Sequence, residues 1–514
     1  MRTDYSIKNS ISAVISNFLS FLLAFISQAI FIRILGAEYL GLNGLFTNIL
    51  TMLSIFELGI GNAIVYKLYK PVSEKKAEDI KSLMLFYKKA YRYIAFCIFL
   101  FGIMLVPFIK NIVGTVTIDI NIYVIYLLFL LSTLTSYFMT YKRNLIIANQ
   151  KNYIINVIHM LYYIALNSSQ LLIIYFTHNY YMYLLIKIIC QILENIIINY
   201  KANCDYPYLK EKNIKKIDKD VENDIFKRVK ALFYHKIGSV IISGTDNIII
   251  SSFLGIVQVG LYTNYYYVIN ACSTLFGQII SASTASVGNL LLNNNSEKNF
   301  LVFKKIRFLN FWIASFTGVS IYIIVQPFIC LWVGEEYLLS KYVVLVLVIN
   351  YYQKMMRSCY STFKDSGGIW IEDKYIPLVE SILNIVFSII LVKLLGIVGV
   401  FLGTIISGLV LWCYSYPKFV YKKLFNRSYF NYIKETIGYI TLFLVILGIT
   451  SFVAKLIVIN NLILQILVYI VLCCLIPNGV LIMIFRNSDN LKYFFKLLLE
   501  ILDKLKNKRN EDEV

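Results

Sequence analysis

A charge inside an apolar stretch is costly and marks a functional hypothesis by default, so the ionisable residues within such stretches are the first to question in this 514-residue sequence. Lys187 lies seven residues inside one end of the run from Tyr180 to Tyr200, about 11 Å deep at helical rise, too deep for easy snorkelling. It can hold an anion in a cavity, or pair structurally with Glu194 two turns on. Arg357 follows Asn350 and Tyr351-Tyr352 in another run and is either a second cavity cation or a helix end shared with Lys354. His235 and Lys236 open a third run, and Arg33 closes the first. Two acids lie deep, Glu57 and Asp246. Burial raises a carboxylic pKa, so each can carry a coupling proton or cation, or hold a basic partner such as Arg33 or Lys187. Asn270, Thr274, Gln278 and Ser281 recur at helical spacing on one face. That stripe lines a polar cavity or makes interhelical hydrogen bonds.

The elements that must position these residues follow from composition. Hydrophobic residues make up 59% of the chain and charged ones 15%, with a formal charge of +20 and a mean hydropathy of +0.69, whereas soluble domains run near 50% and 25%. Fourteen runs reach the ~20 apolar residues that span a bilayer: Ser10 to Ile32, Leu40 to Tyr66, Tyr93 to Val113, Ile118 to Tyr141, Tyr153 to Phe176, Tyr180 to Tyr200, Leu232 to Leu254, Gly260 to Leu290, Phe308 to Trp332, Tyr342 to Phe363, Tyr375 to Leu395, Val398 to Tyr416, Ile433 to Ala454 and Leu462 to Phe485. None alternates as barrel strands do. With both termini on the cytoplasmic side, 43 of the 49 Lys and Arg residues fall in cytoplasmic loops, tails or helix ends, as the positive-inside rule requires. The basic balance is thereby a topology marker and not a nucleic-acid face. The nine cysteines and three histidines show no metal-ligand spacing, and P-loop, GxSxG, HExxH and GxGxxG motifs are absent. Neither a cofactor nor an enzymatic step is expected.

An internal repeat organises the spans. Leu35-Gly36, four residues, Gly41-Leu42 recurs as Leu254-Gly255, four residues, Gly260-Leu261; Pro107-Phe108-Ile109, three residues, Val113-Gly114 recurs as Pro327-Phe328-Ile329, three residues, Val333-Gly334. The offsets are 219 and 220. Basic residues precede the second motif both times, Lys88, Lys89 and Arg92 against Lys304, Lys305 and Arg307. The expected architecture is an all-α membrane protein with two six-helix lobes, residues 1–200 and 231–423, related as parallel repeats. A cytoplasmic linker covers 201–230, an additional helix pair 424–485, and a cytoplasmic amphipathic tail 486–514. Duplicated lobes around a midplane site are a transporter's arrangement.

The block from Arg33 to Phe46, RILGAEYLGLNGLF, followed by FELGIGNA over Phe56 to Ala63, resembles the opening of the polysaccharide transporters, the Wzx-type flippases; Thr245-Asp246-Asn247 leading into Phe253-Leu254-Gly255 resembles them too. That family belongs to the superfamily of multidrug and toxin extruders and lipid II flippases, so the resemblance implies a MATE-like fold. It implies translocation of an undecaprenyl-pyrophosphate-linked oligosaccharide repeat unit across the bacterial plasma membrane by alternating access, feeding capsule, O-antigen or a related polymer. Lipid-linked oligosaccharide and membrane lipids would be its partners, with a polymerase and chain-length machinery alongside. On this reading Lys187, Arg357, Lys236 and Arg33 are the cations for the pyrophosphate and the Asn270 stripe meets sugars, while Asp246 and Glu57 are coupling or ion-pair acids for H+ or Na+. Lipid II flippases carry arginines within their first two helices; here those spans hold no cation before Arg33 and Lys67, which argues against lipid II itself. The alternative is an ion-coupled small-molecule extruder of the same superfamily.

Overall fold

The computed structural model describes residues 2–57, 60–114, 116–138, 140–211, 214–215, 217–281, 283–291, 295–369, 372–496 and 499–500, among which there is no strand. The helices are α1 (Arg2–Leu35), α2 (Ala37–Leu53), α3 (Ile60–Ser73), α4 (Ala77–Leu105), α5 (Ile109–Val113), α6 (Ile122–Tyr137), α7 (Thr140–Ala148), α8 (Asn152–Thr177) and α9 (Tyr180–Asp205). They continue as α10 (Lys219–Leu254), α11 (Ile256–Ser281), α12 (Thr284–Leu291), α13 (Ser296–Trp332), α14 (Lys341–Ser366), α15 (Ile376–Leu395), α16 (Ile397–Val410), α17 (Tyr429–Leu456) and α18 (Leu462–Phe485). After α16 the chain widens into a π-helical stretch, Leu411–Leu424, around Pro417. A short 3-10 turn, Ser54–Glu57, follows α2, and another, Pro207–Lys210, follows α9.

Polar punctuation starts these apolar helices. The side chains of Asn121, Asn179 and Asn461 accept from the second and third N–H groups of α6, α9 and α18, and Ser340 and Ser428 cap α14 and α17. Each cap satisfies donors that lipid could not.

Among the described residues, eleven helices are long and apolar enough to cross a membrane, against the fourteen spans expected. The other three expected spans also fall on helices. The apolar part of α10 is the shorter stretch Val240–Leu254. α11 and α14 are full length but interrupted by polar residues, Asn264, Asn270 and Gln278 on one, Gln353, Lys354 and Arg357 on the other. The expected amphipathic tail is helical over 489–496, and its continuation past residue 500 lies outside the described residues.

Two compact units make up the chain. One is Met1–Thr263 with Lys374–Gly403, the other Asn264–Asp373 with Thr404–Val514. The first therefore includes α10, α15 and the beginnings of α11 and α16. Inside it the repeated glycine motif explains itself. Gly36 and Gly255 both take φ of +91° and break the chain sharply before α2 and α11, a conformation that side chains resist. Gly41 then lies against the carbonyl of Ile256, and Gly260 against the carbonyl of Ala37, with no room for a Cβ at either position. Ala37 and Ile256 are themselves 219 apart, so the two copies of the motif exchange equivalent contacts about a local two-fold axis.

In the second unit, Arg307 of α13 is buried, donates to the Tyr421 hydroxyl and to Glu435 of α17, and lies 5.0 Å from the Tyr439 ring centroid. Lys364 at the end of α14 pairs with the buried Asp373, which also accepts from Ser415 at 3.0 Å.

Candidate functional site

A cavity of about 200 Å³ opens in the first unit beside the middle of α9, with Lys187 in its wall. α2 contributes Thr47, Leu50 and Thr51, the following turn Ser54, and α6 Phe129, Ser132, Thr133, Ser136 and Tyr137. Hydroxyls therefore face a single ammonium. Thr51, Ser54, Thr133 and Ser136 each donate to a backbone carbonyl three or four residues back, at 2.7, 2.6, 3.0 and 2.6 Å. Those donors are thereby consumed within the backbone, so the oxygens turn acceptor lone pairs to the cavity. The wall combines neutral acceptors, which suit a ligand rich in hydroxyl groups, with one cation, which suits an anion.

Lys187 reaches this place because α9 carries a polar face along its length. Gln191, one turn on, accepts from Ser132 at 3.0 Å and Thr135 at 3.2 Å of α6. Asn195 donates to the Thr135 carbonyl at 2.8 Å. These bonds lock α6 to α9 and set the cavity's width. The Lys187 ammonium sits 5.3 Å from the Phe129 ring centroid, a contact that stabilises a desolvated cation without neutralising it.

The structure separates the alternatives for Lys187. Glu194 is buried, but it accepts from Arg143 of α7 at 2.8 Å and meets His159 Nδ1 of α8 at 3.0 Å, and Lys187 forms no ion pair among the described residues. Spacing along α9 pairs Glu194 with Lys187, but Arg143 and His159 reach Glu194 from two other helices. Nothing in the sequence spacing of Arg143, His159 and Glu194 announces this three-helix junction.

Glu57 lies in the 3-10 turn and accepts from the Tyr91 hydroxyl at 2.7 Å. Tyr91 in turn meets Tyr87, which accepts from Asn144. Asp246 stands two turns before the end of α10 with its Oδ1 buried and, among the described residues, unpartnered, as is Oδ1 of the adjacent Asn247, while Thr245 donates to Asn384 of α15 at 3.3 Å. Arg33 is exposed at the end of α1. Lys236 is on α10, and its side chain lies outside the described residues.

The remaining candidates belong to the second unit. Arg357 is half-buried on α14. On α11, Asn270 and Thr274 are half-buried and Gln278 and Ser281 exposed, and Ser281 donates at 3.1 Å to the Gln278 carbonyl of its own helix. Among the described residues no group of three or more His, Cys, Asp or Glu side chains converges to hold a metal ion.

The comparisons with known proteins bear on this arrangement. Residues 6–285 match the family described as polysaccharide biosynthesis protein. No curated protein matches the sequence. Among solved structures the chain is similar to the lipid II flippase MurJ in an inward closed conformation, with 16% identity, coverage of 94% of this chain and 99% of that one, and a TM-score of 0.64. It is also similar to an inward-facing multidrug resistance MATE family transporter of the MOP superfamily, with 13% identity, coverage of 76% and 91%, and a TM-score of 0.59. A MATE transporter of Vibrio cholerae gives 13% identity, 81% and 97% coverage, and a TM-score of 0.55. These likenesses establish a MATE- and MurJ-like fold, as the family resemblance implied. Since the family match takes in more than half of the chain, this multi-pass membrane protein belongs to the polysaccharide biosynthesis protein family.

Proposed function

We propose that the protein is a flippase that carries undecaprenyl-pyrophosphate-linked oligosaccharide repeat units across the bacterial plasma membrane by alternating access, for export of a capsule- or O-antigen-type polysaccharide. The observation that carries this reading is Lys187, a cation that has no acidic partner among the described residues and stands in a cavity walled by hydroxyl acceptors. No covalent step is involved. The headgroup needs a polar path while its lipid tail stays in hydrocarbon; Lys187 offers charge to the pyrophosphate, and the wall of α2 and α6 offers acceptors to sugar hydroxyls.

The duplicated organisation into lobes 1–200 and 231–423 is supported by the reciprocal contacts of Gly41 and Gly260. Both termini are cytoplasmic on this reading, and a polymerase and chain-length machinery receive the product.

One observation favours the second reading, an ion-coupled small-molecule extruder. Asp246 presents a buried carboxylate oxygen with no partner among the described residues, the kind of group that accepts a proton or a cation. The two readings part on Lys187→Ala. At normal protein level the flippase reading expects surface polysaccharide to fall at least several-fold, whereas undiminished export removes Lys187 from the site.

A further inference from the structure

The basic residues that open the third predicted span, Lys88 and Arg92, take no part in the cavity. They sit one turn apart on the same face of α4, a like-charge spacing that weakens a helix. α4 packs on α7 at this point, where the Tyr87 hydroxyl, next to Lys88, accepts from Asn144, two residues past Lys142. Lys88 together with Lys210, the last residue of the turn after α9, lies within repelling range of Lys142. Lys142 is built into place. Its ammonium donates to Asn199 and Asn203, one turn apart on α9, the second at 2.7 Å. Amide oxygens orient an ammonium without neutralising it, and a third N–H remains for a ligand.

Neighbouring lysines are neutralised. Lys81 pairs with Glu78 and Glu211, and Lys151 and Lys201 both pair with Asp205. Among the described residues Lys88, Arg92, Lys142 and Lys210 pair with no acid. Four cations crowded without a counter-charge, one of them oriented by two amides, have the electrostatics of an anion site that awaits its anion.

We infer that Lys88, Arg92, Lys142 and Lys210 form a binding site for a phosphate-ester anion where α4, α7 and α9 meet at the end that the charge distribution assigns to the cytoplasm. Asn199 and Asn203 lie 12 and 16 residues beyond Lys187, roughly 18 to 24 Å along α9. The polar face of Gln191, Glu194 and Asn195 runs between. The site is thus a first station from which an anionic headgroup moves along α9 to Lys187, and in this it rests on the flippase reading. Two sources supply the same chemistry, the diphosphate of a lipid-linked substrate and the phosphodiester of an anionic bilayer lipid.

The test uses the full-length protein in nanodiscs, with farnesyl diphosphate as the titrated probe, in phosphatidylcholine alone and with added phosphatidylglycerol. In phosphatidylcholine, Lys142→Ala and the double variant Lys88→Ala/Arg92→Ala are expected to weaken probe binding about ten-fold, the weight of one charge-assisted contact, while Lys142→Arg keeps it. Phosphatidylglycerol that competes with the probe in the wild type but not in Lys142→Ala assigns the site to bilayer lipid; the absence of such competition assigns it to the diphosphate. Wild-type affinity in both alanine variants, or equal loss in Lys142→Ala and Lys142→Arg, overturns the inference. Binding lost in Lys187→Ala alone would do so and leave the flippase reading standing; loss in Lys142→Ala, with Lys142→Arg retaining the probe and glycan export normal in both, would do the reverse.

Discussion

At the scale of single residues, two acid–base pairs adjacent in sequence give opposite expectations. Asp373 is fully buried and faces Lys364, which is 6% exposed. Its neighbour Glu372 pairs with Lys423 with both side chains nearly half exposed. Removing one partner of a buried pair strands the other charge, so Asp373→Ala should cost about 3–5 kcal/mol. Glu372→Ala should stay within about 1 kcal/mol. Thermal unfolding of the detergent-solubilised protein checks this, and equal shifts would contradict the assignment. The same distinction explains what could be read in advance at the candidate site. Lys187 was legible because a lysine deep in an apolar run stands out in one dimension. The company it keeps was not, since Thr47, Ser132 and Tyr137 are ordinary residues of apolar helices until α2 and α6 bring them to one wall. Glu194 illustrates the limit most clearly: its spacing from Lys187 suggested a pair on one helix, and Arg143 and His159 claimed it from two others.

Among elements, the repeated glycines make the sharpest prediction. Gly41 and Gly260 press against backbone carbonyls, which cannot move aside as a flexible side chain can. Gly41→Ala and Gly260→Ala should each destabilise the protein by about 1–3 kcal/mol. Because the two contacts share one local interface, their effects should be non-additive. Gly448 on α17 has nothing within 4 Å of where a Cβ would stand. There alanine should be neutral or stabilising by up to about 1 kcal/mol through helix propensity. A common sign for all three variants would contradict the account. The helices themselves were largely readable, because apolar runs of bilayer length leave the backbone few alternatives to helix. The shortfall from fourteen to eleven strongly apolar spans falls on α10, α11 and α14, whose polar residues lower their hydropathy. Polar residues of that kind are retained in membranes for contacts or cavities, and Asp246, Asn270 and Arg357 are all on these three helices.

For the whole molecule, the charge distribution becomes a topology that the native cysteines can report. Cys204 is exposed in the last turn of α9, an end that the charge distribution would put on the cytoplasmic side, and the same charge assignment would put Cys330, near the end of α13, on the outer side. In single-cysteine variants of intact cells, a membrane-impermeant thiol reagent should label Cys330 and spare Cys204; the reverse pattern would invert the orientation. The family and the fold join this chain to polysaccharide biosynthesis and to a MATE- and MurJ-like architecture. The step from there to its cargo rests on Lys187 and its hydroxyl wall. The most direct measurement is the sidedness of lipid-linked glycan intermediates in cells that lack the protein. The account predicts that undecaprenyl-pyrophosphate-linked repeat units accumulate on the cytoplasmic leaflet while surface polymer falls. Unchanged intermediates and unchanged surface polymer, with heightened sensitivity to small toxic molecules, would contradict it.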